Sequence, residues 1–212
     1  MSKASLFQLE YIIFDFETTG LNADKDDDII EIGALKLKGS EPTGEVFETL
    51  VRPSKKIPLK VSQVHGITDK DVENKPTIEE IFPKFMSFIG NKILVAHNAE
   101  FDLSFIKKYL KRFTQFPFNN SCIDTLQLSR QLYSYEKGHS LSAIASRFEI
   151  RKKVDRHRSL GDCYLTAEIF SEMLKTLKRR KLDMLHHIKS CIFLPPPRIA
   201  VEALTQEPLR LL

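Results

Sequence analysis

The 212-residue chain has no tryptophan, three cysteines and eight glycines. Cys122, Cys163 and Cys191 are odd in number and widely spaced, and no C-x-x-C pair occurs. Neither a disulfide framework nor a cysteine-based zinc site is therefore suggested. The opening "MSKASLFQLE" lacks the apolar core of a secretory signal. No apolar run approaches the roughly 20 residues needed to cross a bilayer. The expectation is a reduced, cytoplasmic protein with no membrane partner. An excess of one charge sign is also missing. The net charge of +4 is compatible with a polyanionic partner but too small to establish one.

What is present is ordinary globular material, 42% hydrophobic with 15 Phe, enough for one well-filled core and a short appendage. The basic residues gather in "RKK" (151–153) and "KRRK" (178–181). Such a run is ordinarily a solvated face, and next to a nucleic acid it would steer the backbone.

Strand-forming residues dominate 10–52 in three stretches, "YIIFDFETT", "DIIEIGALKLK" and "EVFETLVRP", before Pro53 and Pro58 break the pattern. "TIEEIFPKFMSFIG" (77–90) has helical spacing, with Ile78, Ile81, Phe82, Phe85 and Phe88 or Ile89 on one face. "ILVAH" (93–97) reads as a strand covered on both sides. A helix follows from about Asn98, and "SCIDT" (121–125) reads as another strand. Further helices are expected at about 125–133, 140–148 and 159–180. Three strands followed by alternating helices and strands imply an α/β domain with a mixed β-sheet flanked by helices. The domain is expected over 1–180. Residues 181–212, with the triple proline of "LPPPR", read as a helical, proline-containing tail that could bind a partner.

Two acids interrupt the first strand. Side chains alternate across a strand, so Asp15 and Glu17 point to one face, one pleat apart. An exposed polar face would also explain them, but the abrupt Thr18-Thr19-Gly20 suggests a strand end, where α/β sheets place their sites. Asp102 shares a helix face with Phe105 and Ile106, which should pack on the sheet. Its position is not that of an N-cap, which Asn98 would supply. Asp162 falls in the first turn of the last long helix. His157, five residues earlier, is expected in the loop leading into it, where a lone histidine is more often an exposed loop residue. Four carboxylates on a strand end and two helix starts need a strong counter-charge to converge. Two divalent cations with hard oxygen ligands, Mg²⁺ or Mn²⁺, would supply it. A neutral imidazole beside them could take a proton from attacking water.

"DFETTGL" (15–21), "HNAEFD" (97–102) and "HRSLGD" (157–162) resemble the three motifs of the DEDDh family of 3′–5′ exonucleases. "IIEIGA" (29–34) and "VHGIT" (64–68) resemble its bacterial replication branch, that of the DNA polymerase III epsilon subunits. The likeness covers residues 9–180 and implies a ribonuclease-H-like fold. It implies that Asp15, Glu17, Asp102 and Asp162 hold two metals and that His157 is the general base. It further implies that Thr18, Leu21, Val61, His65, Asn98 and Phe101 receive the 3′-terminal nucleotide. His65 also reads as a turn residue, and His97 as closing its strand by bonding backbone. Cys163, beside Asp162 where the family often has alanine, reads as core filler.

The activity implied is proofreading or repair removal of nucleoside 5′-monophosphates from single-stranded or frayed 3′ ends of DNA. An exoribonuclease is the alternative, and a non-catalytic clamp- or polymerase-binding module a remoter one. As partners, the resemblance implies a DNA polymerase III core, while "QEPLRLL" (Gln206–Leu212) resembles peptides that bind the sliding clamp.

Overall fold

The computed structural model describes residues 5–150 and 157–193. Six strands form one mixed sheet: β1 (Glu10–Thr18), β2 (Ile29–Lys38), β3 (Glu41–Leu50), β4 (Ile93–Ala96), β5 (Cys122–Asp124) and β6 (Ile192–Phe193), in the order β3-β2-β1-β4-β5-β6. β1, β2 and β3 are antiparallel neighbours, β4 and β5 run parallel to β1, and β6 closes the far edge antiparallel to β5. Between them lie α1 (Leu59–His65), α2 (Asp69–Val72), α3 (Ile78–Ile89), α4 (Ala99–Arg112), α5 (Thr125–Leu132), α6 (Leu141–Arg147) and α7 (Ser159–Arg179).

Alternation along β1 sorts the core into two layers. Ile12, Phe14 and Phe16 pack with residues of α3 and α4, including Phe82, Phe85, Leu103 and Ile106. Tyr11 and Ile13 pack on the other face with α5, α6 and α7, including Phe170 and Leu174. Each fully buried side chain of this size contributes about 1.5–3 kcal/mol. Ile89, not Phe88, completes the buried stripe of α3. That helix opens on a capping box in which Glu80 accepts from the Thr77 N–H at 2.8 Å.

Two features depart from the sequence reading. Pro58 does not merely break a strand. It is the N-cap of α1, and Gly66 closes that helix in the left-handed region at φ 75. Nor does packing stop at residue 180. A 3₁₀ segment (Leu185–Cys191) buries Ile188 and Cys191 against the α5 and α7 layer, and Ile192–Phe193 pairs with β5. These apolar residues find a sheet edge to cover, so the packed unit runs at least to Phe193. The "RKK" run and the Gln206–Leu212 peptide lie outside the described residues.

The register positions the site. β4 matches β1 only from Tyr11 to Ile13, so the second half of β1 runs past the end of its parallel neighbour. α4 begins there, three residues after the last residue of β4.

Candidate active site

Asp15 and Glu17 extend the Tyr11–Ile13 stripe and therefore face the α7 side of the sheet. Their antiparallel partners on β2 are Gly33 and Glu31. Asp162, in the first turn of α7, comes down on the same place. One ligand oxygen from each of Asp15, Glu17 and Asp162 lies within 4.8 Å of the others. Asp15 and Glu17 are half-buried and Asp162 is buried. Burial first, and then the charges of Asp102, Glu17, Asp162 and Glu31, push the Asp15 carboxyl well above the usual carboxylate range. Crowded carboxylates without a counter-charge are unfavourable. A compact set of hard oxygens with surplus negative charge fits a divalent cation of the Mg²⁺ or Mn²⁺ type.

Asp102 approaches from α4. It is 2% exposed, and its Oδ1 accepts from the Phe16 N–H at 3.1 Å, between the two β1 acids. It occupies a backbone donor where β4 has ended. Burial raises its pKa, the Phe16 hydrogen bond opposes this, and the charges of Glu17 and Asp124 add to the rise. The converging group thus has three members, with Asp102 beside it and bonded to the strand that carries two of them. Asn98 does stand at the N-cap of α4, but in the left-handed region at φ 63 and without a side-chain capping bond. Its own N–H is received by Asp124 Oδ1 at 3.0 Å, so the cap chemistry comes from β5.

His157 stands in the loop ahead of α7, exposed and left-handed at φ 59. The next residue, Arg158, is the N-cap of α7. It forms an ion pair with Glu31, its Nε lying 3.0 and 3.2 Å from the two carboxylate oxygens. Glu31 is fully buried and also accepts from the Ser159 N–H at 2.8 Å. Glu31 escaped the sequence reading although the signal was present. It interrupts an alternating apolar strand, as Asp15 and Glu17 do, on the same stripe as the buried Leu35 and Leu37.

The residues expected at the terminal nucleotide are dispersed over the sheet end and two helices. Thr18 is buried and donates to the Gly20 carbonyl at 2.6 Å, shaping the turn that leaves Leu21 86% exposed. Val61 is half-buried on α1. His65, at the end of that helix, is buried; its Nδ1 accepts from the Ile67 N–H at 3.0 Å, so it is a turn residue as well. Its Nε2 is buried and has no hydrogen-bond partner among the described residues. Burial lowers its pKa, the charge of Glu31 opposes this, and the charges of Arg158 and His157 add to the fall. Asn98 is exposed, and Phe101 is half-buried against Phe105 at 5.3 Å between ring centres. His97 bonds the Thr125 hydroxyl through Nδ1 at 2.9 Å. Cys163 is buried core, its thiol donating to the Gly33 carbonyl at 3.2 Å.

The exonuclease (RNase_T) family model matches residues 12–170. The DNA polymerase III subunit epsilon of Aquifex aeolicus is 38% identical over 167 residues, which are 79% of this chain and 81% of that protein. The PolC-type DNA polymerase III of Caldanaerobacter subterraneus is 41% identical over 191 residues, 90% of this chain. The chain spans only 13% of the length of that polymerase. Among solved structures, exonuclease X in complex with 5′-overhanging duplex DNA is 27% identical, with a TM-score of 0.67 over 84% of this chain and 99% of the other. The nuclease domain of 3′hExo, a DEDDh family member bound to rAMP, superposes with a TM-score of 0.70 over 81% of this chain and 94% of that one; at 20% identity it shows the shared fold.

Proposed function

This chain belongs to the exonuclease family, and from that premise we propose that it is a divalent-cation-dependent 3′–5′ DNA exonuclease. It releases nucleoside 5′-monophosphates from single-stranded or frayed, mispaired 3′ ends. The observation that carries this reading is the convergence of Asp15, Glu17 and Asp162 within 4.8 Å, with buried Asp102 anchored between the two strand acids.

In this reading Asp15, Glu17, Asp102 and Asp162 hold two cations, Mg²⁺ or Mn²⁺. When bound, they supply positive charge to the scissile phosphate and to the oxygens that attack and leave. His157 takes the proton from attacking water. Thr18, Leu21, Val61, His65, Asn98 and Phe101 receive the terminal nucleotide. The apolar members read no base, so selectivity for a mismatch comes from the lower cost of unpairing it. The names of the relatives support a place beside a DNA polymerase III core, and Gln206–Leu212 supports docking on a sliding clamp.

The test uses 3′-mismatched, matched and single-stranded DNA, and RNA, each with Mg²⁺, Mn²⁺ or chelator. The expected result is chelator-sensitive release of mononucleotides, fastest from single-stranded or mismatched DNA and lost in Asp15→Asn and His157→Ala. Cleavage that survives chelation overturns the reading, and preferential RNA cleavage replaces its substrate. For the tail, clamp capture of the full chain should disappear when residues 206–212 are deleted.

A further inference from the structure

We propose that Glu31 is a positioning residue for the exonuclease chemistry: through Arg158 and the Ser159 amide it fixes the start of α7, and with it His157 and Asp162, against Asp15 and Glu17. The proposal rests on the exonuclease reading above.

A helix start ordinarily finds its capping acceptor locally, on a Ser, Thr, Asp or Asn at the N-cap. α7 has Arg158 there, with no side-chain capping bond of its own. An acceptor for the first turn comes instead from another strand, 128 residues away, where Glu31 receives the Ser159 N–H at 2.8 Å. The same carboxylate takes the Arg158 guanidinium through Nε and Nη2. One buried side chain thus grips both the N-cap residue and the first residue of the helix. Two positions along β2, Gly33 completes the seat. A Cβ there would lie 2.4 Å from the Leu160 nitrogen and 2.5 Å from the Ser159 carbonyl carbon, so only glycine lets the helix backbone approach this closely.

What this seat holds is the chemistry. Glu31 and Gly33 are the register partners of Glu17 and Asp15. The two sides of the carboxylate cluster are therefore joined through adjacent strands by this contact. His157, immediately before Arg158, has a left-handed backbone that a non-glycine residue keeps only when its surroundings impose it. Glu31 itself stands outside the three converging carboxylates. Arg158 and Ser159 engage both of its oxygens. Stability alone is a weak account of such a pair, because an ion pair whose Arg158 side chain is 42% exposed contributes little by itself. Placement of the helix start does account for it.

The test compares wild type with Glu31→Gln, Arg158→Met and the double variant Glu31→Gln/Arg158→Asn, which provides a neutral local N-cap. Each single variant should lose about 10- to 100-fold in kcat while KM for an oligonucleotide stays within about threefold. Hydrogen exchange of the 159–162 amides should quicken by about tenfold or more in the single variants. The double variant should recover protection of those amides and exceed either single variant in kcat. Unchanged exchange in Glu31→Gln, unchanged kcat in the single variants, or a double variant whose kcat is no higher than theirs would overturn the proposal. Absence of chelator-sensitive cleavage in wild type would instead overturn the exonuclease reading. The exchange arm would then still decide whether Glu31 holds the helix start.

Discussion

Asp102 serves the β1 backbone and the charged cluster at once, and substitution can separate the two roles. Asparagine keeps an oxygen to receive the Phe16 N–H but removes the charge; alanine removes both. Asp102→Ala should therefore lose about 1–3 kcal/mol of stability for the orphaned buried amide, whereas Asp102→Asn should match or exceed wild type without metal. Both should lose cleavage by about 100-fold or more, because either misplaces the cation and phosphate. Urea unfolding in chelator and a single-turnover assay read the two effects separately. The pH dependence follows from the same groups. Asp15 and Asp102 have raised pKa values, chiefly through burial. A carboxyl with a raised folded-state pKa binds its proton more tightly folded than unfolded. Its stabilisation is complete below the unfolded pKa and is lost as pH rises through the folded pKa. In chelator, calorimetry from pH 5 to pH 8 should show wild type losing stability relative to Asp15→Asn/Asp102→Asn. Mn²⁺ should raise the wild-type Tm more at pH 8 than at pH 5. A gap between the two proteins that does not change with pH would refute this assignment.

At the scale of elements, Gly33 tests how close α7 must come. Gly33→Ala inserts a methyl against helix backbone, which cannot swing aside as a side chain could. A cost of about 1–3 kcal/mol is expected, with a fall in kcat as Asp162 retreats from Asp15. A Tm and kcat equal to wild type would show that the approach is not needed. The elements carrying the four motif carboxylates were legible because their signals are local: strand-forming residues in β1 and the apolar stripes of α4 and α7. The rest was not, because its causes are distant in sequence. α1 is short and capped by a proline that also reads as a breaker, so the helix holding Val61 and His65 went unseen. The cap of α4 comes from Asp124 on β5, and part of that of α7 from Glu31 on β2. Neither can be found by looking a few residues along the chain. β6 is two residues long and exists only because β5 offers an edge.

Across the whole molecule, α7 separates two charges that the sequence places only 16 residues apart. Lys178 lies about 24 Å beyond Asp162 at 1.5 Å per residue, so the "KRRK" run occupies the far end of the helix from the carboxylates. There it has local uses. Lys178 sits 5.0 Å above the Phe7 ring, Arg179 donates to Thr176 and Arg180 to the Leu132 carbonyl. Positive charge at a helix C-terminus is also favourable in itself. This run therefore cannot guide a terminal nucleotide into the site; it can only meet a strand long enough to travel the length of α7. Lys178→Gln/Lys181→Gln should cleave a dinucleotide within about twofold of wild type at about 0.1 M salt and above, since no phosphate of so short a substrate reaches it and the separation exceeds the screening length of about 10 Å. On a long single strand the same variant should show a shallower salt dependence, by up to about 0.7 in the log–log slope for each phosphate contact removed. An equal loss on both substrates would mean that the far end of α7 acts on the site through the protein rather than through the strand.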